Sequence, residues 1–272
     1  MLAENCEVQR HGAGMDLGEI VDLARHPVET PAFRAACRVK LDETGVLVLP
    51  DFLTKPALAQ ILTEAQAGRD KAYFCTQEHS VYLAPDPSFP EDHPANRRVV
   101  SSKGCICDDD VAAGSPLRAL YEADGFKSFV KAVVGQGGLY PYADPLSSIN
   151  IHYAERGQEL GWHFDNSSFA ITLLLQKPDA GGRFEYVTDL RDTASGDMNY
   201  RGVEALLDGE LKPNVLEMEP GALVLFRGRN SVHRVSPNES DRTRILAVLA
   251  YNAEPGVSLS ESARMTFFGR LG

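Results

Sequence analysis

The sequence predicts an α+β protein: a double-sheet antiparallel barrel of the jelly-roll or cupin type, a double-stranded β-helix, with helices packed outside it. Three observations carry the prediction. From Ser147 onward the apolar residues alternate with a period of two, in short runs bounded by turn residues. Before that point the apolar spacing is largely helical. Finally, His163, Asp165 and His233 each fall at the end of an expected strand, so the chain between them can return to one mouth of a barrel.

Taken in order, residues 1–15 read as a loose leader. Leu17, Ile20, Val21, Leu23 and Ala24 have helical spacing, and Pro31 opens a second helix over Ala32–Leu41. Gly45–Pro50 reads as a buried strand. Thr54 is placed to cap a helix with Pro56 in its first turn and Leu58, Ile61, Leu62 and Ala65 on its apolar stripe. Residues 75–114 contain Pro85, Pro87, Pro90 and Pro94 and show little periodicity, so a long loop serving as a lid is expected there, with a short strand at Arg97–Val100. Ser115 and Pro116 start the next helix as N-cap and first residue, and Phe126, Phe129, Val130 and Val133 continue a helical face to Gly135. The expected barrel strands are Ser148–Tyr153, Phe169–Gln176, Arg183–Val187, Ala222–Phe226, Ser231–Val235 and Arg244–Tyr251. The whole chain, 1–272, is expected to be one domain: helical support over 16–135 with a lid at 75–114, a jelly-roll core at 147–252, and a C-terminal extension at 253–272.

Composition narrows the function classes. The chain is 43% hydrophobic and 24% charged, ordinary for a globular protein. Its net charge of −11 argues against a nucleic-acid partner, since phosphate contacts need clustered Lys and Arg. No apolar run approaches the length of a membrane span, and no secretory signal is visible at the N-terminus, so a cytoplasmic location is expected. The five cysteines are scattered and fit reduced thiols; Cys105 and Cys107 have no partner pair for zinc. A Gly-x-Ser-x-Gly elbow, a His-Glu-x-x-His helix and a complete dinucleotide fingerprint are all missing.

The stretch Gly161-Trp162-His163-Phe164-Asp165-Asn166 carries the chemistry. In an extended segment, His163 and Asp165 point to one side. Singly, each of these residues has an ordinary structural reading: a hydrogen-bonded histidine, or an aspartate starting a turn. Together with His233 they form two histidines and one carboxylate, the facial triad of non-haem Fe(II) oxygenases. Arg244, eleven positions beyond His233, suits bidentate anchoring of a dicarboxylate.

These pieces resemble the Fe(II)- and 2-oxoglutarate-dependent dioxygenases: His163-x-Asp165, the strand Pro220–Phe226, His233-Arg234-Val235-x-Pro237, and the Arg244 strand. The resemblance implies that His163, Asp165 and His233 bind Fe(II), and that Arg244 holds the distal carboxylate of 2-oxoglutarate. It makes Arg242 the runner-up for that task, and Thr172 and Asn150 further cosubstrate residues. It also implies O₂ as oxidant and release of succinate and CO₂. The Gly161–Asp165 and Gly181–Val187 stretches resemble most the small stand-alone hydroxylases and halogenases of free amino acids. Halogenases of this type have a small residue where the triad carboxylate would stand; here Asp165 is retained, which disfavours halogenation.

Candidate substrate contacts are His152, Trp162, Asn166, His79, Tyr82, Arg97 and Arg98. For the two arginines, solvated charge and pairing with a substrate carboxylate stand equal, and for His79 and Tyr82 the surface-loop reading leads. Trp162 could serve the core or the pocket. A small-molecule substrate and no membrane partner are expected, with a homodimer open. The rival readings are the same chemistry on a peptidyl side chain or natural-product scaffold, a desaturation or cyclisation outcome, and a non-catalytic cupin-like metal-binding module.

Overall fold

The computed structural model describes residues 15–272. The leader expected over 1–15, with Cys6, therefore lies outside the described residues apart from Met15.

The helical support forms as its caps and stripes dictate. A capping box joins Asp16 and Glu19 at the start of α1 (Leu17–Ile20). α2 (Pro31–Thr44) ends at Gly45, which adopts a left-handed φ of 70° that a side chain would resist, and turns the chain into β1 (Val46–Leu49). Thr54 caps α3 (Lys55–Gly68) by accepting from the Ala57 amide. Ser115 caps α4 (Pro116–Glu122), with proline in its first turn, and α5 (Asp124–Val134) follows directly.

Between α3 and α4 the structure departs from expectation. Residues 75–114 are not one long loop: β2 (Tyr73–Ser80) and β3 (Arg98–Ile106) pair along eight residues as an antiparallel hairpin. Its inner face carries Cys75, Gln77, His79, Ser101 and Lys103, which line a cavity instead of a core. Polar residues on that face hide the alternation that apolar periodicity would detect. The four prolines fall in the connection, residues 81–97. There the Asn96 side chain accepts from the Asp86 amide and donates to the carbonyls of Asp86, Phe89 and Pro90.

The remaining strands are β4 (Ile149–Ala154), β5 (Leu160–His163), β6 (Ala170–Gln176), β7 (Phe184–Val187), β8 (Asn214–Leu216), β9 (Leu223–Phe226), β10 (Val232–Val235) and β11 (Arg244–Leu249). α6 (Tyr200–Leu207) precedes β8, and α7 (Glu261–Phe268) occupies the C-terminal extension. One curled antiparallel sheet runs β1-β9-β6-β11-β4-β3-β5-β10-β7-β8, with β2 added to β3. The link between β3 and β5 is a single register pair, Ser101 with Leu160. At that point the sheet folds over, so that β5, β10, β7 and β8 form a second layer facing β4, β11, β6 and β9. This is the double-stranded β-helix the sequence predicts.

Period-two alternation then sorts the side chains. Ile149, Ile151 and Tyr153, then Ile171, Leu173 and Leu175, then Leu223 and Leu225, then Ile245, Ala247 and Leu249 face outward into one large core shared with α1–α5. Phe126 and Phe129 of α5 are fully buried there, each contributing roughly 2–3 kcal/mol of apolar burial. The alternate positions, including His152, Thr172, Val224, Phe226, Arg244, Leu246 and Val248, face the barrel interior. Among the described residues no helix is long and apolar enough to cross a membrane.

Candidate metal centre and cosubstrate cavity

The barrel encloses a cavity of about 490 Å³ whose walls hold His163, Asp165 and His233 at one end and Arg244 further along β11. His163 closes β5 and lies directly opposite His233 of β10 in register, with ring centroids 4.1 Å apart. In His163, Nδ1 is 2.8 Å from the Gly161 carbonyl; in His233, Nδ1 is 3.1 Å from the Ser231 carbonyl. A carbonyl can only accept, so Nδ1 of each ring carries the proton and Nε2 keeps a free lone pair. Both Nε2 atoms point at the same carboxylate oxygen, Asp165 Oδ1, at 3.7 and 3.6 Å. The candidate ligand atoms lie within 4.8 Å of one another. Burial first, then the neighbouring His233, holds His163 well below the ordinary imidazole range, so it is neutral, as a ligand must be.

Three further features fit this set to a cation. Asp165 Oδ2 is buried with no hydrogen-bond partner, and a bare carboxylate oxygen in that setting is costly unless a cation or proton satisfies it. Gly228 lies so close that any Cβ there would overlap the Asp165 carboxylate, while its carbonyl accepts from the Asp165 amide at 3.0 Å. The His233 ring is held by Phe184, stacked at 5.5 Å, and Phe226, edge-on at 4.8 Å. Two imidazole nitrogens and one carboxylate on one side, with cavity on the other, are the donor set suited to non-haem Fe(II).

Arg244 is 6% exposed, and burial lowers its guanidinium to about 10. Among the described residues it has no ion pair and no side-chain hydrogen bond, so a buried cation faces the cavity without an anion. Thr172 lines the same cavity from β6, and its neighbour in register is Val248 of β11.

The other sequence candidates divide. His152 and His79 do line the cavity. His79 is tied to Ser101 Oγ at 2.6 Å, and its ring meets His163 edge-on at 6.3 Å. Asn150 shares a strand face with His152 but does not reach the cavity: its amide nitrogen donates to the backbone carbonyls of Leu146 and Ile149, both at 2.8 Å. Arg242 lies before β11 and pairs at the surface with Asp179, so it is no alternative to Arg244.

Arg97 pairs with Asp208 at 2.7 Å, and Arg98, its side chain 71% exposed, pairs with Glu78; neither lines the cavity. Trp162 follows the period of two onto the opposite face from His163. There it packs with Val81, Val203 and Leu206 under the Arg234 guanidinium, 4.8 Å above its ring. Tyr82 packs on Phe164 and donates to the Met198 carbonyl, and Asn166 is exposed, its carbonyl accepting from Arg229.

Several cavity residues carried no sequence signal. Lys103, Ser101, Gln77 and Cys75 come from the unexpected hairpin, and Ser262, Ala263, Thr266 and Phe267 come from α7, which covers that side. Arg191 supports the metal end from outside: its guanidinium lies 4.1 Å over the Phe164 ring. Thr76, Gln77, Glu78 and His79 are polar on both faces of β2, so no alternation there marks the strand.

Comparison with known proteins agrees with this geometry. The Halogenase D family model matches residues 31–266. No curated protein matches the chain. Among solved structures, the chain is similar to SnoN, a non-haem α-ketoglutarate-dependent epimerase from nogalamycin biosynthesis, at a TM-score of 0.57 and 13% identity, covering 82% of this chain and 81% of that one. It is also similar to HygX from Streptomyces hygroscopicus, solved with nickel, 2-oxoglutarate and hygromycin B, at 0.54 and 16%, covering 82% and 88%. A 2OG-Fe(II) oxygenase family oxidoreductase from Burkholderia pseudomallei matches at 0.52 and 15%, covering 83% and 93%. At such identities these structures establish the shared double-stranded β-helix, while the family match spans most of the chain. The chain belongs to the Halogenase D family, within the Fe(II)- and 2-oxoglutarate-dependent oxygenases that its sequence resembles.

Proposed function

We propose that this chain hydroxylates an unactivated C–H bond of a small substrate, a free amino acid or a derivative of one, using Fe(II), 2-oxoglutarate and O₂. The observation that carries the reading is the pairing, in one cavity, of the His163–Asp165–His233 cluster with the unpartnered Arg244. His163, Asp165 and His233 would hold the iron, and Arg244 with the Thr172 hydroxyl would take the distal carboxylate of 2-oxoglutarate. Bound there, the iron supplies the oxidising power for C–H cleavage while the cosubstrate leaves as succinate and CO₂.

The protein's own share is placement. Nδ1 hydrogen bonds fix both imidazoles, Gly228 makes room for the carboxylate, and the largely apolar wall of Val224, Phe226, Leu246 and Val248 keeps water from the cosubstrate. Retention of Asp165 favours hydroxylation over halogenation, since the carboxylate fills the place a halide would need. The enclosed volume, covered by α7, favours a small ligand over a protein side chain. Residues 15–272 would act as one functional unit in which α7 and Leu83 of the 81–97 connection line the cavity, in place of a lid over the whole of 75–114.

Anaerobic reconstitution with Fe(II) tests the reading. Adding 2-oxoglutarate should produce a weak visible charge-transfer band that is lost in Asp165→Ala and weakened in Arg244→Ala. Amino acids are then screened for stimulated succinate release. Iron demonstrably bound without such a band would leave a non-catalytic metal-binding module as the better account.

A further inference from the structure

The cavity holds a second cation that the triad and Arg244 do not use. Lys103, on the inner face of β3, extends its ammonium to His152, 3.0 Å from Nε2 and 3.3 Å from Nδ1, and lies 5.6 Å from the centre of the Phe267 ring. Among the described residues no carboxylate comes within ion-pair distance of it. Asp165 is the one carboxylate in the cavity lining, and the metal cluster already uses it. A buried ammonium in such a setting is poorly compensated, and burial indeed lowers the affinity of Lys103 for its proton.

2-Oxoglutarate does not account for this group. Of its two carboxylates, one belongs at the iron and the other at Arg244. Lys103 and Arg244 flank His152 from separate strands, and the field of each lowers its basicity, after burial. Two residues before Lys103 on the same face of β3, Ser101 holds His79, whose ring meets His163 edge-on at 6.3 Å, which sets Lys103 toward the metal end. The cavity it shares is lined by the apolar Leu83, Leu160, Ala263 and Phe267, with Gln77, Ser101 and Thr266 as neutral hydrogen-bonding groups.

We propose that Lys103, backed by His152, is the docking point for the substrate's carboxylate, and that the substrate is a small carboxylic acid without a cationic side chain, neutral-side-chain α-amino acids included. A second positive group would find no free carboxylate in the lining, whereas an α-ammonium can be met by Gln77, Ser101 and Thr266. The proposal rests on the oxygenase reading above, because it assigns Arg244 to the cosubstrate.

The test uses the full chain loaded with Ni(II), which holds the site without turnover, and saturating 2-oxoglutarate. Thermal unfolding is followed with neutral-side-chain amino acids, their primary amides, and lysine and ornithine. At least one neutral acid should raise the melting temperature, while its amide and the cationic amino acids should not. Lys103→Gln should weaken binding of that acid at least about tenfold, and Lys103→Arg should restore much of it. Stabilisation by 2-oxoglutarate should be unchanged in both variants.

The proposal is overturned if no neutral acid stabilises the wild type, or if amides or lysine do so equally well. It is also overturned if Lys103→Gln weakens 2-oxoglutarate as much as Arg244→Ala does, which would make Lys103 part of the cosubstrate site. Should a variant fail to fold, the acid–amide comparison on wild type still decides. Absence of any 2-oxoglutarate effect would instead strike the oxygenase reading itself.

Discussion

Gly228 and Asp165 compete for the same space: a Cβ on residue 228 would overlap the Asp165 carboxylate. Glycine there is what allows a carboxylate to stand between His163 and His233. Gly228→Ala should therefore displace Asp165 and weaken Fe(II) or Ni(II) binding by about 10- to 100-fold, as disturbed support of a ligand does. The far-ultraviolet circular dichroism should stay unchanged, because the outer core is untouched. Titration calorimetry of the folded variant checks this, and wild-type affinity would remove Gly228 from the account.

Asp165 itself should show opposite effects with and without metal. Its Oδ2 is buried and unsatisfied, so the carboxylate costs the metal-free protein stability of order 1–3 kcal/mol. Asp165→Ala should thus leave the metal-free melting temperature equal or higher, and abolish the rise that metal produces in the wild type. A lower metal-free melting temperature would mean the carboxylate has a structural role not visible in its contacts.

The sequence disclosed what apolar periodicity and ligand chemistry can disclose. Strands such as Arg244–Leu249 declared themselves because Ile245, Ala247 and Leu249 must meet the helices, and the alternate positions then pointed Arg244 inward. Trp162 was also legible in principle: it is adjacent to His163 on one strand, so if one faces the cavity the other cannot. Asn150 shows the limit of the same rule. It shares a face with His152, yet its amide turns back to the Leu146 and Ile149 carbonyls, a choice that depends on local backbone geometry. The β2–β3 hairpin and α7 escaped because their inward residues, Phe267 apart, are polar or small, so burial leaves no apolar pattern. Arg97 and Arg98 found partners at Asp208 and Glu78, contacts across 111 and 20 positions that spacing does not reveal.

Arg244 should separate binding from folding. Replacing it with Met keeps much of the volume and removes a buried charge that has no partner in the metal-free chain. Affinity for 2-oxoglutarate should fall by roughly 30-fold or more, the scale for truncating one side of a buried charge pair. The metal-free protein should be no less stable. Equilibrium titration of the charge-transfer band measures the first, and urea unfolding the second. Unimpaired 2-oxoglutarate binding would reassign the guanidinium.

Anchorage of α7 should depend on pH in a defined direction. Beyond the helix, Arg270 donates to both oxygens of Asp109, at 2.7 and 2.6 Å, and to Asp110 at 3.2 Å; Lys71 also reaches Asp110. The Arg270 hydrogen bonds hold the Asp109 carboxyl below its ordinary range. A carboxylate with a lowered folded value contributes fully above its unfolded value, near 4, and loses that contribution as pH falls through the folded one. Protection of the 261–268 amides, corrected for intrinsic exchange rates, should therefore hold from neutral pH to about 5 and decline below about 4. In Arg270→Ala it should be reduced already at neutral pH and vary less with acid. Because α7 carries Ala263, Thr266 and Phe267 over the cavity, the same variant should raise the substrate KM more than it lowers kcat. Protection in the wild type that stays constant down to pH 3 would show that other contacts, such as Gln77 to the Thr266 carbonyl, hold the helix without the ion pair.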